Sequence, residues 1–316
     1  MGQSVRLSRI RAGRGLLVSV VVFAMTACGT SAGSLNAGAS SFAVAAGDDP
    51  LQVVTTTTVF ADIVQTIGGS RVSASSIIPP GVGPEDYEPK PDDAKKLANA
   101  RLIVSNGVGL DNFLDDLLAS GSGGDKPRIV LGDGIPILTV NGEENPHFWL
   151  DPTLVKEYYL PAIAAKLSEL DPGGKVAYDA NVASYGATLD ALDSELKAKI
   201  DTIPTADRKL VTFHDAFPYF ARHYGFEEVG VILENVGQEP TAGELAALVE
   251  KVKSAGVKAV LSEAQFSPDL SRTLAQEAGV TKVVTTLYND SLGPAPADSY
   301  VGLMRWNVDQ IVPALK

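Results

Sequence analysis

One long amphipathic segment, from Gly173 to Thr202, constrains the fold of this chain more than any other stretch. Bulky apolar residues recur in it every three or four positions, so they share one face of a helix. They are Tyr178, Val182, Tyr185, Leu189, Leu192, Leu196 and Ile200. At about 1.5 Å per residue this helix spans roughly 45 Å, longer than one small domain requires. The segment is predicted to be a rigid spacer between two halves, and the alternative is a long helix inside one large domain.

Strands and helices are predicted to alternate on both sides of this helix. Short β-branched runs cover residues 52–58, 72–78, 102–105, 129–131, 209–213, 229–233, 259–262 and 282–286. Amphipathic segments lie between them at 60–67, 91–98, 110–118, 151–170, 216–224, 242–254, 268–278 and 298–312. This alternation is typical of α/β domains with mostly parallel sheets. We therefore expect an N-terminal α/β domain over 48–172, a linking helix over 173–203 and a C-terminal α/β domain over 204–316.

The first 27 residues have the pattern of an export signal. Four arginines precede an apolar run from Leu16 to Ala27, which is shorter than the roughly 20 residues needed to span a bilayer. The run ends in Met25-Thr26-Ala27-Cys28, which resembles the lipobox of bacterial lipoproteins, so Cys28 is expected to be lipidated. A buried structural cysteine is the alternative. Residues 28–47 are poor in bulky side chains and are predicted to form a flexible tether.

Charge and cysteine content narrow the function classes. The net charge of −12 becomes −16 when residues 1–27, with four arginines and no acids, are removed. Such a surface disfavours nucleic acid and attracts cations only non-specifically. A single cysteine fits an exported protein without a disulfide framework.

Four polar motifs, two on each side of the long helix, contain candidate binding residues. Pro79 to Pro89 is a stiff loop with three acids, and Asn145 to Pro152 holds His147 between a proline and a tryptophan-containing helix entry. His214 ends a predicted strand, and Asp290 follows another. Each motif on its own is also compatible with a role unrelated to ligand binding, such as a solvated loop, a surface histidine or a turn aspartate.

Two further acids and the third histidine are predicted to have no part in ligand binding. Asp151 and Asp215 are predicted to be helix N-caps, and His223 a surface residue. Glu263, at the end of a predicted strand, is a lesser candidate. Taken together, however, the four motifs place two imidazoles and at least two carboxylates at strand ends, which is a ligand set for a divalent ion between domains.

The four motifs, in order, resemble those of the solute-binding lipoproteins of zinc and manganese ABC transporters. The segments that carry this resemblance are GVGPEDYEP, NPHFWLDP, FHDAFPYFARHYGF, ENVGQEPTAGEL, LYNDSLG and SYVGLMRWN. The resemblance covers nearly all of the chain beyond the tether. It implies a monomeric receptor, anchored outside the cytoplasmic membrane through Cys28, that captures a metal ion and delivers it to a permease driven by an ATPase.

The resemblance implies Glu85, His147, His214 and Asp290 as metal ligands. One departure matters, because the family normally has a histidine where this chain has Glu85. Either Glu85 coordinates the ion, or Asp86 does, or water fills the first position.

Ligand chemistry favours manganese as the cargo. Two imidazoles and two carboxylates offer mixed nitrogen and oxygen donors, which suit Mn²⁺ better than a site of three imidazoles would. Zn²⁺ is close behind, because the general affinity order favours it over Mn²⁺, and Fe²⁺ is a third candidate.

Two other function classes compete with the metal receptor. An exported metallohydrolase could use the same ligands with Glu85 as general base, but the chain has no H-E-x-x-H or G-x-S-x-G motif. A receptor for an oligopeptide or a sugar would require an aromatic-lined cleft rather than acidic and imidazole-bearing loops. We expect a receptor and not an enzyme.

Overall fold

A computed structural model describes residues 49–85, 87–119, 124–234 and 237–316. The predicted export signal, the tether and Cys28 lie outside these residues, and so does Asp86. Within the described ranges, no helix combines the length and the apolar composition that crossing a membrane requires.

The N-terminal half is built on a four-stranded parallel sheet with the strand order β2-β1-β3-β4. Its strands are β1 (Leu51–Thr55), β2 (Val72–Ser76), β3 (Leu102–Ser105) and β4 (Arg128–Val130). Three helices follow the first three strands, namely α1 (Thr58–Gly68), α2 (Pro91–Asn99) and α3 (Asn112–Ala119). A short antiparallel hairpin, not predicted from the sequence, pairs β5 (Thr139–Val140) with β6 (Glu143–Glu144).

The second half repeats this alternation with two parallel strand pairs, β7 with β8 and β9 with β10. The strands are β7 (Lys209–His214), β8 (Glu227–Leu233), β9 (Ala259–Glu263) and β10 (Lys282–Leu287). The helices are α7 (Pro218–Tyr224), α8 (Ala242–Ala255), α9 (Asp269–Ala278) and α10 (Tyr300–Leu315). Strands β7 and β9 lie side by side. The predicted α/β class with mostly parallel sheets is therefore confirmed.

The halves are joined by α4 (Pro152–Leu154), a π-helical turn (Val155–Tyr159), α5 (Leu160–Leu170) and α6 (Lys175–Ile200). With 26 residues, α6 is the predicted long helix, and six of its seven predicted apolar residues are buried. The seventh, Val182, is partly buried against the same core.

One hydrophobic cluster extends from the first half through α6 into the second half. It includes Phe60 and Trp149 from the first half, Leu192 from α6, and Leu261 and Met304 from the second. Because α6 packs along both halves, it contributes to the core of each half as well as connecting them. The domain boundaries at 172 and 203 remain a prediction.

Local signals at the helix ends were mostly interpreted correctly. Asp151 caps α4, since its Oδ1 accepts a hydrogen bond from the Thr153 amide at 2.9 Å. Thr241 and Glu244 form the predicted capping box of α8. The prediction for Asp215 was wrong, because α7 begins only at Pro218 and its N-cap is Phe217. Proline is well suited to the first turn of a helix, and here it moves the start two residues along the chain.

A partly buried ion pair joins the residue before β2 to the segment that leads into α6. Arg71 donates from Nε and Nη2 to both carboxylate oxygens of Asp171, at 2.6 and 2.8 Å, and the Tyr178 hydroxyl donates to Asp171 Oδ2 at 2.6 Å. These contacts, the Arg71 bonds above all, lower the pKa of Asp171 to about 2. The charge of Asp171 therefore stabilises the fold.

We expect Asp171→Asn to lower the free energy of unfolding by about 1–2 kcal/mol at pH 7, the worth of charge-assisted hydrogen bonds discounted for partial exposure. Because the pKa is depressed in the folded protein, this contribution is complete above pH ~4 and is lost as the pH falls through about 2. Urea denaturation of parent and variant across this range is the measurement. The matched control is Asp179→Asn, which removes the exposed pair with Lys175 and should cost far less. Equal losses in the two variants would contradict the assignment.

Candidate metal centre

Three of the four predicted site residues lie at or after the carboxyl ends of parallel strands, where α/β folds present functional groups. His214 is the last residue of β7, and Asp290 lies three residues beyond β10. Glu85 is in the proline- and glycine-rich loop between β2 and α2, and His147 precedes a short 3₁₀ turn at Phe148–Leu150. Loops from both halves thus converge on one point.

All four predicted residues face one another. His147 Nε2 lies 3.8 Å from Glu85 Oε1 and 3.6 Å from Asp290 Oδ1. His214 Nε2 lies 3.7 Å from Asp290 Oδ2. Glu85, His147 and His214 each offer a ligand atom, and these three atoms lie within 4.8 Å of one another. This spacing could hold a single metal ion with nitrogen and oxygen donors.

The polar atoms of this cluster are buried without sufficient partners. His147, His214 and Asp290 are all at most 2% exposed, whereas the side chain of Glu85 is 26% exposed. His147 Nε2 and Asp290 Oδ1 make no hydrogen bond within the described part of the chain. Buried polar atoms normally have partners, and leaving them without one costs free energy. A divalent cation would satisfy both atoms at once.

The pKa shifts separate the two histidines. Burial, and then the charge of His214, lowers the pKa of His147, so this ring is neutral and can donate a lone pair. Burial also acts to lower the pKa of His214, but the charges of Glu263, Asp290 and Glu85 outweigh it and raise the pKa to about 10. Burial raises the pKa of Asp290, with His214 opposing the rise. The carboxylates that raise the pKa of His214 also favour a positive charge in this pocket.

Asn145 orients the ring of His147. Its Oδ1 accepts a hydrogen bond from the His147 backbone amide at 3.0 Å and lies 3.2 Å from His147 Nδ1. Its Nδ2 donates to the carbonyl of Asp215, one residue beyond the end of β7, at 2.7 Å. With Nδ1 beside an amide oxygen, Nε2 is left facing the cluster. Asn145 thereby connects the two halves and positions a candidate ligand.

Two amide side chains of the second half contact the other candidate ligands. Gln265 Nε2 donates to Asp290 Oδ2 at 2.8 Å, and Asn289 Nδ2 lies 3.3 Å from His214 Nε2. The Asn289 carbonyl in turn accepts from Trp149 Nε1 at 2.9 Å, so the loop is held against the first half. Asp290 is thus held in place by contacts from both directions.

A cavity of about 430 Å³ reaches the cluster from one side and includes His147 and His214 in its wall. Among the described residues, its lining contains no lysine or arginine and five carboxylates, which belong to Glu85, Glu143, Glu144, Asp215 and Glu234. A concave surface of one charge sign concentrates counter-ions. The cavity is therefore a suitable route for a cation to the buried imidazoles.

His223 lies apart from this cluster. Its Nε2 is 2.6 Å from Asp193 Oδ1 on α6, and its Nδ1 is 3.5 Å from Asp151 Oδ1. The prediction that it is a surface residue was therefore incomplete, because its side chain is 22% exposed and tied to the long helix. This contact links α7 to α6.

Sequence reasoning missed Asn145 and Gln265 and gave Glu263 only a minor place. Each lies within two residues of a feature that was recognised: Asn145 precedes His147 in Asn-Pro-His, and Gln265 and Glu263 sit at the end of β9. Their proximity to the cluster depends on how the loops pack, which a linear pattern does not encode.

Comparison with known proteins gives consistent results. The chain matches the model of the family described as zinc-uptake complex component A, periplasmic, over residues 53–314. The metal ABC transporter substrate-binding lipoprotein SloC of Streptococcus mutans is 32% identical over 282 residues, covering 85% of this chain and 91% of SloC. The iron ABC transporter substrate-binding lipoprotein MtsA of Streptococcus pyogenes is 31% identical, covering 85% of this chain and 90% of MtsA.

A relative named for manganese and a structure named for zinc match equally well. The manganese-binding lipoprotein MntA of Halalkalibacterium halodurans is 31% identical over 302 residues, covering 94% of this chain and 96% of MntA. The periplasmic zinc binding protein TroA of Treponema pallidum is 30% identical with a TM-score of 0.77, covering 84% of this chain and 99% of TroA.

These comparisons confirm the resemblance inferred from the four motifs. They also confirm the expected class, because such proteins are solute-binding receptors of ABC transporters and not enzymes. The hydrolase alternative is accordingly set aside. By its motifs, its fold and its match over nearly the whole described region, this chain belongs to the periplasmic zinc-uptake complex component A family.

Proposed function

We propose that this protein is an extracytoplasmic receptor that binds one divalent transition metal ion and delivers it to the permease of an ABC importer, whose transport an ATPase drives. The observation that carries the proposal is the buried cluster in which His147 Nε2 and Asp290 Oδ1, 3.6 Å apart, have no hydrogen-bond partner in the described ranges. The names of the relatives support the transporter context.

The proposed ligands are Glu85 and His147 from the first half and His214 and Asp290 from the second. Both imidazoles present Nε2 toward Asp290, whose two oxygens face one ring each. Glu85 completes the set from the side that remains partly exposed. In this arrangement the ion bridges the two halves, and Glu85 is the ligand that can leave first.

We propose Mn²⁺ as the preferred cargo, with Zn²⁺ close behind and Fe²⁺ as a third candidate. Two carboxylates and two imidazoles supply up to six contacts when both acids bind through two oxygens, and oxygen donors suit Mn²⁺. Overall similarity does not choose among the metals, because relatives named for iron and manganese and a structure named for zinc match at 30–31% identity. The carboxylate at position 85 is therefore the feature on which the preference rests.

Lipidation of Cys28 is proposed as the anchor that keeps the receptor at the outer face of the cytoplasmic membrane. The sequence Met25-Thr26-Ala27-Cys28 supports it, and so do relatives that are named lipoproteins. A flexible tether over residues 28–47 would let a monomeric receptor reach the permease while it stays anchored.

Ion release is proposed to depend on local loop movement rather than on a large hinge. The face of α6 is buried in a core cluster that includes residues of both halves, so a wide separation would expose that apolar surface. The described residues of the loop that carries Glu85 lie outside any strand or helix. A small displacement of this loop would open the site.

The carboxylate at position 85 is tested by competitive binding of Mn²⁺ and Zn²⁺ to a chelator-stripped protein that starts after Cys28. We expect one equivalent of either metal, and we expect Glu85→Ala to weaken Mn²⁺ binding by at least about tenfold and Zn²⁺ binding less. If the variant binds both metals like the parent, Glu85 is not a ligand and zinc becomes the better choice. If the parent binds neither metal, the receptor proposal fails.

The assignment of His214 is tested against His223, which offers a matched control in the same half. His214→Ala should reduce affinity more than the roughly 10- to 100-fold loss typical of residues that only support a ligand. His223→Ala removes the contact with Asp193 and should lower the midpoint of thermal unfolding while leaving affinity unchanged. Isothermal titration with Zn²⁺ and a melting curve for each variant separate the two effects. Equal affinity losses would refute the assignment.

Asn145→Ala tests whether orientation of His147 matters. Without the amide oxygen near Nδ1, the ring can rotate, and the affinity for Zn²⁺ should fall by about tenfold. Asn141→Gly is the control, because Asn141 lines the same cavity and has φ of 52°, a conformation that glycine adopts easily. The prediction is wrong if the two variants bind Zn²⁺ alike.

A further inference from the structure

Glu263 is a buried carboxylate that the proposed ligand set does not use. It is the last residue of β9 and is 1% exposed. Neither of its carboxylate oxygens makes a hydrogen bond to any residue that the structure describes. A carboxylate that is removed from water without a partner is strongly destabilising, so this position requires a compensating group.

The group that faces Glu263 is the imidazole of His214. Glu263 Oε1 lies 3.2 Å from His214 Nδ1, and the side chains of both residues are at most 2% exposed. The two atoms are close enough for an ion pair but do not form a hydrogen bond in the structure, and His214 Nδ1 has no other partner among the described residues. The opposite ring nitrogen, Nε2, faces Asp290 Oδ2 at 3.7 Å. The two nitrogens of His214 therefore address two different carboxylates.

We propose that Glu263 is a positioning residue for metal binding, which accepts a hydrogen bond from the Nδ1–H of His214 and so holds the ring with its Nε2 lone pair toward the ion. The inference rests on the proposed function, because it assigns the orientation of a proposed ligand. A metal-ligating histidine generally donates its second ring N–H to a carboxylate or a carbonyl, which fixes the tautomer and makes the ligand more basic. A small rotation of the ring would align Nδ1–H with Glu263 Oε1.

The two imidazoles are supported by chemically different acceptors. His147 has the neutral amide oxygen of Asn145 at 3.2 Å from Nδ1, whereas His214 has a carboxylate at the same distance. A charged acceptor strengthens the hydrogen bond and adds negative charge beside the cation. His214 is therefore the more strongly donating imidazole of the pair, and Glu263 is responsible for the difference.

The test uses the protein that starts after Cys28, with Glu263→Gln, Glu263→Ala and the control Glu277→Gln, an exposed acid on α9. Zinc affinity is measured by competition with a chelator. Nitrogen-15 NMR of the zinc-loaded protein then reports the protonated ring nitrogens, and the chain has only three histidines to assign. This spectrum reports tautomer and proton exchange, which a general loss of stability would not alter selectively.

In the parent we expect a His214 Nδ1–H signal that is protected from exchange with solvent. Glu263→Ala should weaken Zn²⁺ binding by about 10- to 100-fold and abolish that protection, while the signals of His147 and His223 stay unchanged. Glu263→Gln, which keeps an acceptor oxygen but not the charge, should retain part of the Zn²⁺ affinity and part of the protection from exchange. Glu277→Gln should behave as the parent.

Two results would overturn the inference without touching the proposed function. One is a parent that binds one Zn²⁺ while both Glu263 variants bind within twofold of it. The other is a His214 that carries its proton on Nε2 in the loaded parent. A parent that binds no Zn²⁺ would instead defeat the proposed function. If Glu263→Ala does not fold, Glu263→Gln, which is nearly identical in shape, decides the question by the same criteria.

Discussion

Burial of the apolar face of α6 is the interaction on which the rest of the structure depends. This face packs in a core that includes Phe60 of the first half and Leu261 of the second, so the helix fixes the sheets of the two halves relative to each other. Within each sheet, alternate residues serve different cores: Ala259 and Leu261 face the central cluster, whereas Val260 packs in a second one. The site inherits its geometry from this arrangement. The loops that follow these strands meet at the site because the packing of α6 fixes the distance between the two halves.

The cluster where these loops meet combines buried polar groups with a concentration of negative charge. Several buried polar atoms lack partners there among the described residues. The charges of Glu263, Asp290 and Glu85 raise the pKa of His214 to about 10, although burial alone would lower it. A group that binds only to the folded protein stabilises it in proportion to its affinity. Metal binding and folding should therefore be coupled, with the ion supplying the interactions that the buried atoms otherwise lack.

Support around the candidate ligands comes from both halves. Asn145 of the first half contacts the end of β7, Trp149 reaches the loop that contains Asn289, and the Tyr300 hydroxyl of α10 donates to the Trp149 carbonyl at 2.6 Å. Such crossing contacts make the position of each ligand depend on the other half. Under the proposed function, small shifts of these loops would change the geometry of the ligands directly.

Much of this could be predicted from periodicity and local chemistry. The apolar repeat of α6, the strand at Leu102–Ser105 and the cap at Asp151 are local properties, and the structure confirms them. The predicted start of α7 is too early, because Pro218 and not Ala216 occupies the first helical position. The β5–β6 hairpin was not predicted because it is too short to give a periodic signal.

The sequence by itself determined the α/β alternation, the long helix and the four polar motifs, because these depend on side-chain spacing and on backbone preferences along the chain. Only the tertiary structure decided which polar groups share one site. It placed Glu263 behind His214 and Asn145 behind His147, and it directed His223 to Asp193 instead. The physical reason is that these contacts join residues 30 or more positions apart or depend on ring orientation. Both are set by packing around α6 rather than by any local preference.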